Sequence, residues 1–138
     1  RREKTIGWPK IRTRSRRITS ASRNPARCWF LTGPMIMARF DIYALNRTEV
    51  PYVLEVQADV LSDLASVVVV PLVPAEAARA ETMRKLKPEI TIKGQSFCLM
   101  NTDIGTLRRA SLGRPVVNVE EPYRAVIVDA LDFLFQGF

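Results

Sequence analysis

The strongest helical pattern of apolar positions lies at the end of the chain, in EEPYRAVIVDALDFLFQGF, residues 120–138. There Tyr123, Ile127, Ala130 and Leu134 recur at helical spacing. Val126, Val128, Leu131, Phe133 and Phe135 spread apolar surface over most of the remaining circumference. Pro122 suits a first turn, where no N–H is required of it. Glu120 and Glu121 put negative charge at the positive end of the helix dipole, so the helix is expected to begin near residue 121. A helix of about four turns that is apolar nearly all round needs cover on two sides, its own sheet on one and a second subunit or partner on the other. Gln136, Gly137 and Phe138 follow, with Gly137 read as a flexible break. Phe138 either tucks back onto the core or forms a partner-binding tip.

From Met37 to the helix the pattern is one of short strands. RFDIYALN alternates Phe40, Ile42 and Ala44 against Arg39, Asp41 and Tyr43, and VPYVLEVQ follows a polar turn at residues 46–48, which predicts a hairpin. Residues 58–66 read as a polar loop interrupted by the adjacent aliphatics Val60 and Leu61, most simply a loop anchored to the core. SVVVVPLVP is apolar without alternation, so it is expected to be central and covered on both faces, with Pro71 near its end or at an irregularity. AEAARAETMRKLK, residues 75–87, favours a short helix by composition, with Glu81 four residues before Lys85 and Pro88 closing it. EITIKGQSFCLM reads as two strands around a turn at Gly94, and residues 107–112 as one more strand. Five to seven strands followed by one helix predict an α+β domain of about 100 residues. Its architecture would be a small antiparallel sheet or partly closed barrel with the C-terminal helix packed on it.

Charge divides the chain. Residues 1–36 carry ten Lys and Arg against one acid, Glu3, whereas residues 37–138 carry eleven against thirteen. The net charge of +7 therefore belongs to the first segment. That segment has no sustained period and holds Pro9, Pro25 and Pro34 among Arg and Ser, so it is expected to be a disordered basic extension. A nucleic-acid arm, an organelle transit peptide and a start placed too far upstream, with Met37 as the initiator, all account for it, the last being favoured. The 47% hydrophobic content is enough for a core. No run approaches the roughly 18 apolar residues of a membrane span. Two separated cysteines, Cys28 and Cys98, point to reduced thiols and a cytoplasmic protein rather than a disulfide framework.

Candidate chemistry is sparse. The sequence has no histidine, which removes the commonest general base and, with two lone cysteines, makes zinc improbable. GxGxxG, GxxxxGK(S/T), CxxC and HExxH are all absent, so no cofactor or metal is expected and the chain reads as a non-enzyme. Asp59 with Asp63, and Glu120 with Glu121, are carboxylate pairs better explained by loop hydrogen bonding and the helix start. Arg108, Arg109 and Arg114 could hold phosphate, with a solvated strand edge as the simpler account. Cys98 reads as a small buried hydrophobe.

From Met37 onward the chain resembles the CcdB toxins of bacterial plasmid and chromosomal toxin–antitoxin pairs. The likeness is carried, in order, by MARFDIY, LEVQADVL, VVVVPL, PEITI, FCLMNTDI and the ending DFLFQGF. The resemblance implies a homodimer of SH3-like, partly barrelled subunits of the fold shared with MazF. It also implies a poison whose tip inserts into the A subunit of DNA gyrase, trapping the enzyme on cleaved DNA. A CcdA-like antitoxin would remove it, and any DNA contact would run through that antitoxin. The gyrase-binding positions implied are Val60, Leu61, Asp132, Phe135, Gln136, Gly137 and Phe138. The family's best-known pattern has Trp before the final Gly and Ile after it, and an amide where this chain has Asp132; here Gln136 and Phe138 stand at the first two. The alternatives are an RNA-cleaving toxin of the MazF type and an inactive relative working only with its antitoxin at the operator. The former would need phosphate-clamping or acid–base residues on a basic groove, whereas residues 37–138 are net acidic.

Overall fold

SVVVVPLVP forms the strand on which the sheet is assembled. The computed structural model describes residues 37–79 and 83–138. The expectations for the basic extension, Cys28 and the Glu81–Lys85 pair fall outside that range. Among the described residues seven antiparallel strands follow in chain order: β1 Asp41–Ala44, β2 Tyr52–Glu55, β3 Ser66–Pro74, β4 Glu89–Ile92, β5 Gln95–Leu99, β6 Gly105–Arg108 and β7 Pro115–Asn118. Helix α1, Ala75–Ala78, extends β3, and α2, Glu120–Gln136, closes the domain. The sheet runs β4-β5-β3-β2-β1-β7, with β6 also on β3, and curls into a half-barrel, as the α+β reading expects.

One edge of β3 pairs with β2; the other changes partner, from β6 along Ser66–Val69 to β5 along Leu72–Pro74. Pro71 sits at that change. Its carbonyl accepts from Met100 N–H at 3.0 Å, and because N and O of one strand residue point the same way, its missing N–H falls where no strand partner waits. The irregularity expected of Pro71 is thus in its neighbours. The hairpin β4–β5 turns through Lys93 (φ 49°) and Gly94 (φ 80°), and a positive φ at both central residues is what a two-residue turn matching strand twist requires.

Alternation along the strands builds two cores. Ile42, Leu54, Val70 and Leu72 face α2 together with Phe40, Ile90, Phe97 and Leu99; Tyr43, Val53, Val67 and Val69 face the other way and are closed by Leu112. Covered on both faces, β3 is central, as its composition implies. Helix α2 begins one residue before the expected start. Asn118 Oδ1, one residue ahead of the cap, takes the Glu120 N–H at 2.9 Å. Ile127 and Ala130 are its fully buried residues, and Tyr123, Val128 and Leu131 pack partly against the core.

Two expectations shift. The strand expected at 107–112 lies at Gly105–Arg108 and gives way to a 3-10 turn, Arg109–Ser111, because Arg109 turns its side chain inward. The helix over 75–87 is a single turn where described, and Met83–Lys87 forms a separate turn whose carbonyls at Leu86 and Lys87 serve Asn101 Nδ2 and Cys98 Sγ. Tertiary hydrogen bonds there outweigh composition.

Candidate functional site

The loop between β2 and β3 folds into a 3-10 turn, Asp59–Leu61, stitched by Leu61 N–H to Ala58 O and Ser62 N–H to Asp59 O. Val60 is 86% and Leu61 44% exposed, so the expected anchoring of these two in the core does not occur. Polar groups do the anchoring. The Asp59 carboxylate accepts the Arg39 N–H at 2.6 Å, and the buried Gln57 amide reaches the carbonyl of Leu61 at 3.0 Å.

At the other end of the domain, the last turns of α2 sort their aromatics by face. Phe133 is half-buried beneath the Lys85 ammonium, 4.6 Å from its ring centroid, whereas Phe135 is 71% exposed. Asp132 and Gln136 share the solvent side, Gln136 Nε2 lying 3.4 Å from Asp132 Oδ1. Gly137 is a left-handed cap, φ 80°, rather than a flexible break; its N–H bonds Phe133 O at 3.0 Å, a conformation glycine adopts without strain. Phe138 beyond it is 80% exposed, so it does not tuck back onto the core.

A short relay links the loop to the start of α2. Asp59 holds Arg39 N–H, Arg39 O accepts Asn118 Nδ2 at 3.1 Å, and Asn118 Oδ1 holds Glu120 N–H. Val60 and Leu61 therefore ride on the element that sets the helix start. Asp132 and Phe135–Phe138 lie at the far end of a helix about 24 Å long.

Several of the titratable groups have structural partners. Arg109, a candidate phosphate ligand, is neither at a solvated edge nor free. Its guanidinium pairs with the buried Glu55 at 3.0 Å, and Tyr43 donates to the other Glu55 oxygen at 3.0 Å. Burial, then the charge and hydrogen bond of Glu55, push the Tyr43 hydroxyl well above the ordinary tyrosine range. Arg108 ends β6 and Arg114 is exposed. Glu120 pairs with Arg124 one turn on, and with Glu121 sits in the first turn of α2. Asp59 serves the loop. Cys98 is half-buried, donates to Lys87 O, and has its thiol pushed up by burial, opposite to what a reactive thiolate needs. Among the described residues no group of three or more His, Cys, Asp or Glu is placed to hold a metal ion, and no helix is long and apolar enough to cross a membrane.

Sequence reasoning passed over Glu55, Gln57 and Arg39. The available signal was a charged and an amide side chain inside the otherwise apolar VPYVLEVQ, positions that a buried strand fills only when partners await them.

Compared with curated proteins, the chain finds no match. The family model described as CcdB protein matches residues 39–137, which take in every strand from β1 to β7, both helices and the Gly137 cap. The chain belongs to the CcdB family, the toxins of toxin–antitoxin pairs.

Proposed function

We propose that residues 37–138 form a toxin domain that acts by binding rather than catalysis, and that its target is the A subunit of DNA gyrase. Residues 1–36 stand outside that domain. The observation that supports this most is the exposure of Phe135 and Phe138 at the end of a helix whose opposite face closes the core. Large aromatics held in water contribute little to the fold. Desolvated at the centre of an interface, an anchor of this kind is worth about 2–4 kcal/mol. The Gly137 cap fixes the direction in which the chain leaves the helix, so Phe138 is presented on a defined turn. Asp132 and Gln136 form a polar rim beside it, and Val60 and Leu61 supply a second apolar contact.

On this reading the protein is a homodimer, which covers apolar helix surface such as Val126, 44% exposed, that the sheet leaves open. A CcdA-like antitoxin opposes it and carries any contact with DNA. Titration of the purified A subunit of gyrase with the full chain and with Phe138→Ala tests the target. Saturable binding by the parent, weakened about tenfold or more by the substitution, is expected. A folded parent that does not bind contradicts the reading.

A further inference from the structure

The loop carrying Val60 and Leu61 has few apolar anchors, yet its backbone is held along its length. Gln57 is 8% exposed, and both ends of its amide are used across the loop. Nε2 donates to Leu61 O at 3.0 Å and Ser66 O at 3.4 Å, while Oε1 accepts from Val68 N–H at 3.2 Å. One side chain thus ties the turn to both limbs of the loop. Glutamate has no donor for the two carbonyls, and leucine has neither donor nor acceptor, so glutamine meets a requirement that residues of similar size do not. Asp59 adds the bond to Arg39 N–H, and Arg109 N–H closes the far limb on Ala65 O at 2.9 Å. The result is an ordered turn with two aliphatic side chains pointing into water. Nothing in the packing of the described residues calls for that arrangement.

We propose that Gln57 and Asp59 are positioning residues that hold the Val60–Leu61 turn in its docking shape, so that gyrase meets a preformed pair of aliphatic side chains. The inference rests on the gyrase reading above. Ordering a loop during association costs conformational entropy, and a partner that finds it already ordered avoids that cost. Releasing the turn therefore weakens binding without altering any atom that touches gyrase.

The test titrates the A subunit of gyrase with the full chain and with Gln57→Leu, Asp59→Ala, Asp59→Asn and Val60→Asp. Affinity, thermal melting and hydrogen exchange at the Leu61, Ser62 and Leu64 amides, all bonded within the turn, are measured together. Gln57→Leu is expected to weaken binding about tenfold and Asp59→Ala about threefold, both with faster exchange at those amides. Asp59→Asn keeps the acceptor oxygen and is expected to stay near the parent. Asp59 is on the surface, so its pair decides the matter should Gln57→Leu fail to fold. Faster exchange with unchanged affinity, or unchanged exchange in both Asp59→Ala and Gln57→Leu, overturns the inference. A parent that does not bind, or a Val60→Asp variant that binds like the parent, overturns the gyrase role of the turn and the inference with it. A binding parent, a failing Val60→Asp and unaffected clamp variants overturn the inference alone.

Discussion

Arg109 and Glu55 set the terms at the residue scale. A carboxylate at 4% side-chain exposure is tolerable because a guanidinium and a phenol both face it. Arg109→Met keeps much of the volume and leaves Glu55 with only Tyr43, so a loss of about 3–5 kcal/mol is expected in urea unfolding; Arg109→Met paired with Glu55→Gln should recover part of it. Tyr43 adds a pH dependence. Its raised pKa means that the folded chain holds the phenolic proton more tightly than the unfolded chain does. The contribution is whole below about pH 10 and is lost as pH rises beyond it, where the unfolded tyrosine ionises first. Unfolding midpoints compared between pH 8 and pH 11 should fall more steeply for the parent than for Tyr43→Phe, and equal slopes would contradict this. The pairing within this trio was not legible in sequence. Glu55 and Arg109 are 54 positions apart, and only the pairing of β2 and β6 on either side of β3 brings them together.

Elements were easier to read where local chemistry and long-range packing agree. The hairpins β1–β2 and β4–β5, the central β3 and the start of α2 follow from alternation, turn residues and charge placement. Strand β7 did not, because Pro115–Asn118 opens on proline and pairs only with β1, so its pattern is that of a connection. The apolar excess of α2 was visible, but which residues the sheet would take was not. Ile127 and Ala130 are buried, while Val126 and Phe135 are left in water. Ile127→Ala should therefore cost about 2–4 kcal/mol in thermal or chemical unfolding, as cavity formation in a packed core does. Removing Gly137 and Phe138 should leave the melting temperature close to the parent's, since Phe138 is 80% exposed. A loss as large as that of Ile127→Ala would mean that the tip is part of the core.

For the whole molecule, the same division between buried and exposed helix surface separates fold from function. Sequence reads Val60 and Leu61 most simply as core anchors and leaves Phe138 open between core and tip; the structure instead exposes all three, together with Phe135 in the last turn of α2. The amide closing VPYVLEVQ signals that partners await it, but which groups they are was not legible, since Gln57 lies in the loop after β2 and reaches Leu61, Ser66 and Val68. Sedimentation of the full chain at micromolar concentration should show a dimer, and a stable monomer would remove the proposed cover for Val126. Gln136→Trp places an aromatic beside Gly137 and is expected to strengthen gyrase inhibition relative to the parent.

The most direct measurement is the yield of trapped DNA cleavage complexes with purified gyrase. It compares the parent with the form lacking Gly137 and Phe138, each shown to be folded by thermal melting. Cleavage complexes are expected with the parent and none above background with the truncated form. Equal trapping by the two folded proteins would contradict the proposed role of the tip, because some other element would then be acting on gyrase.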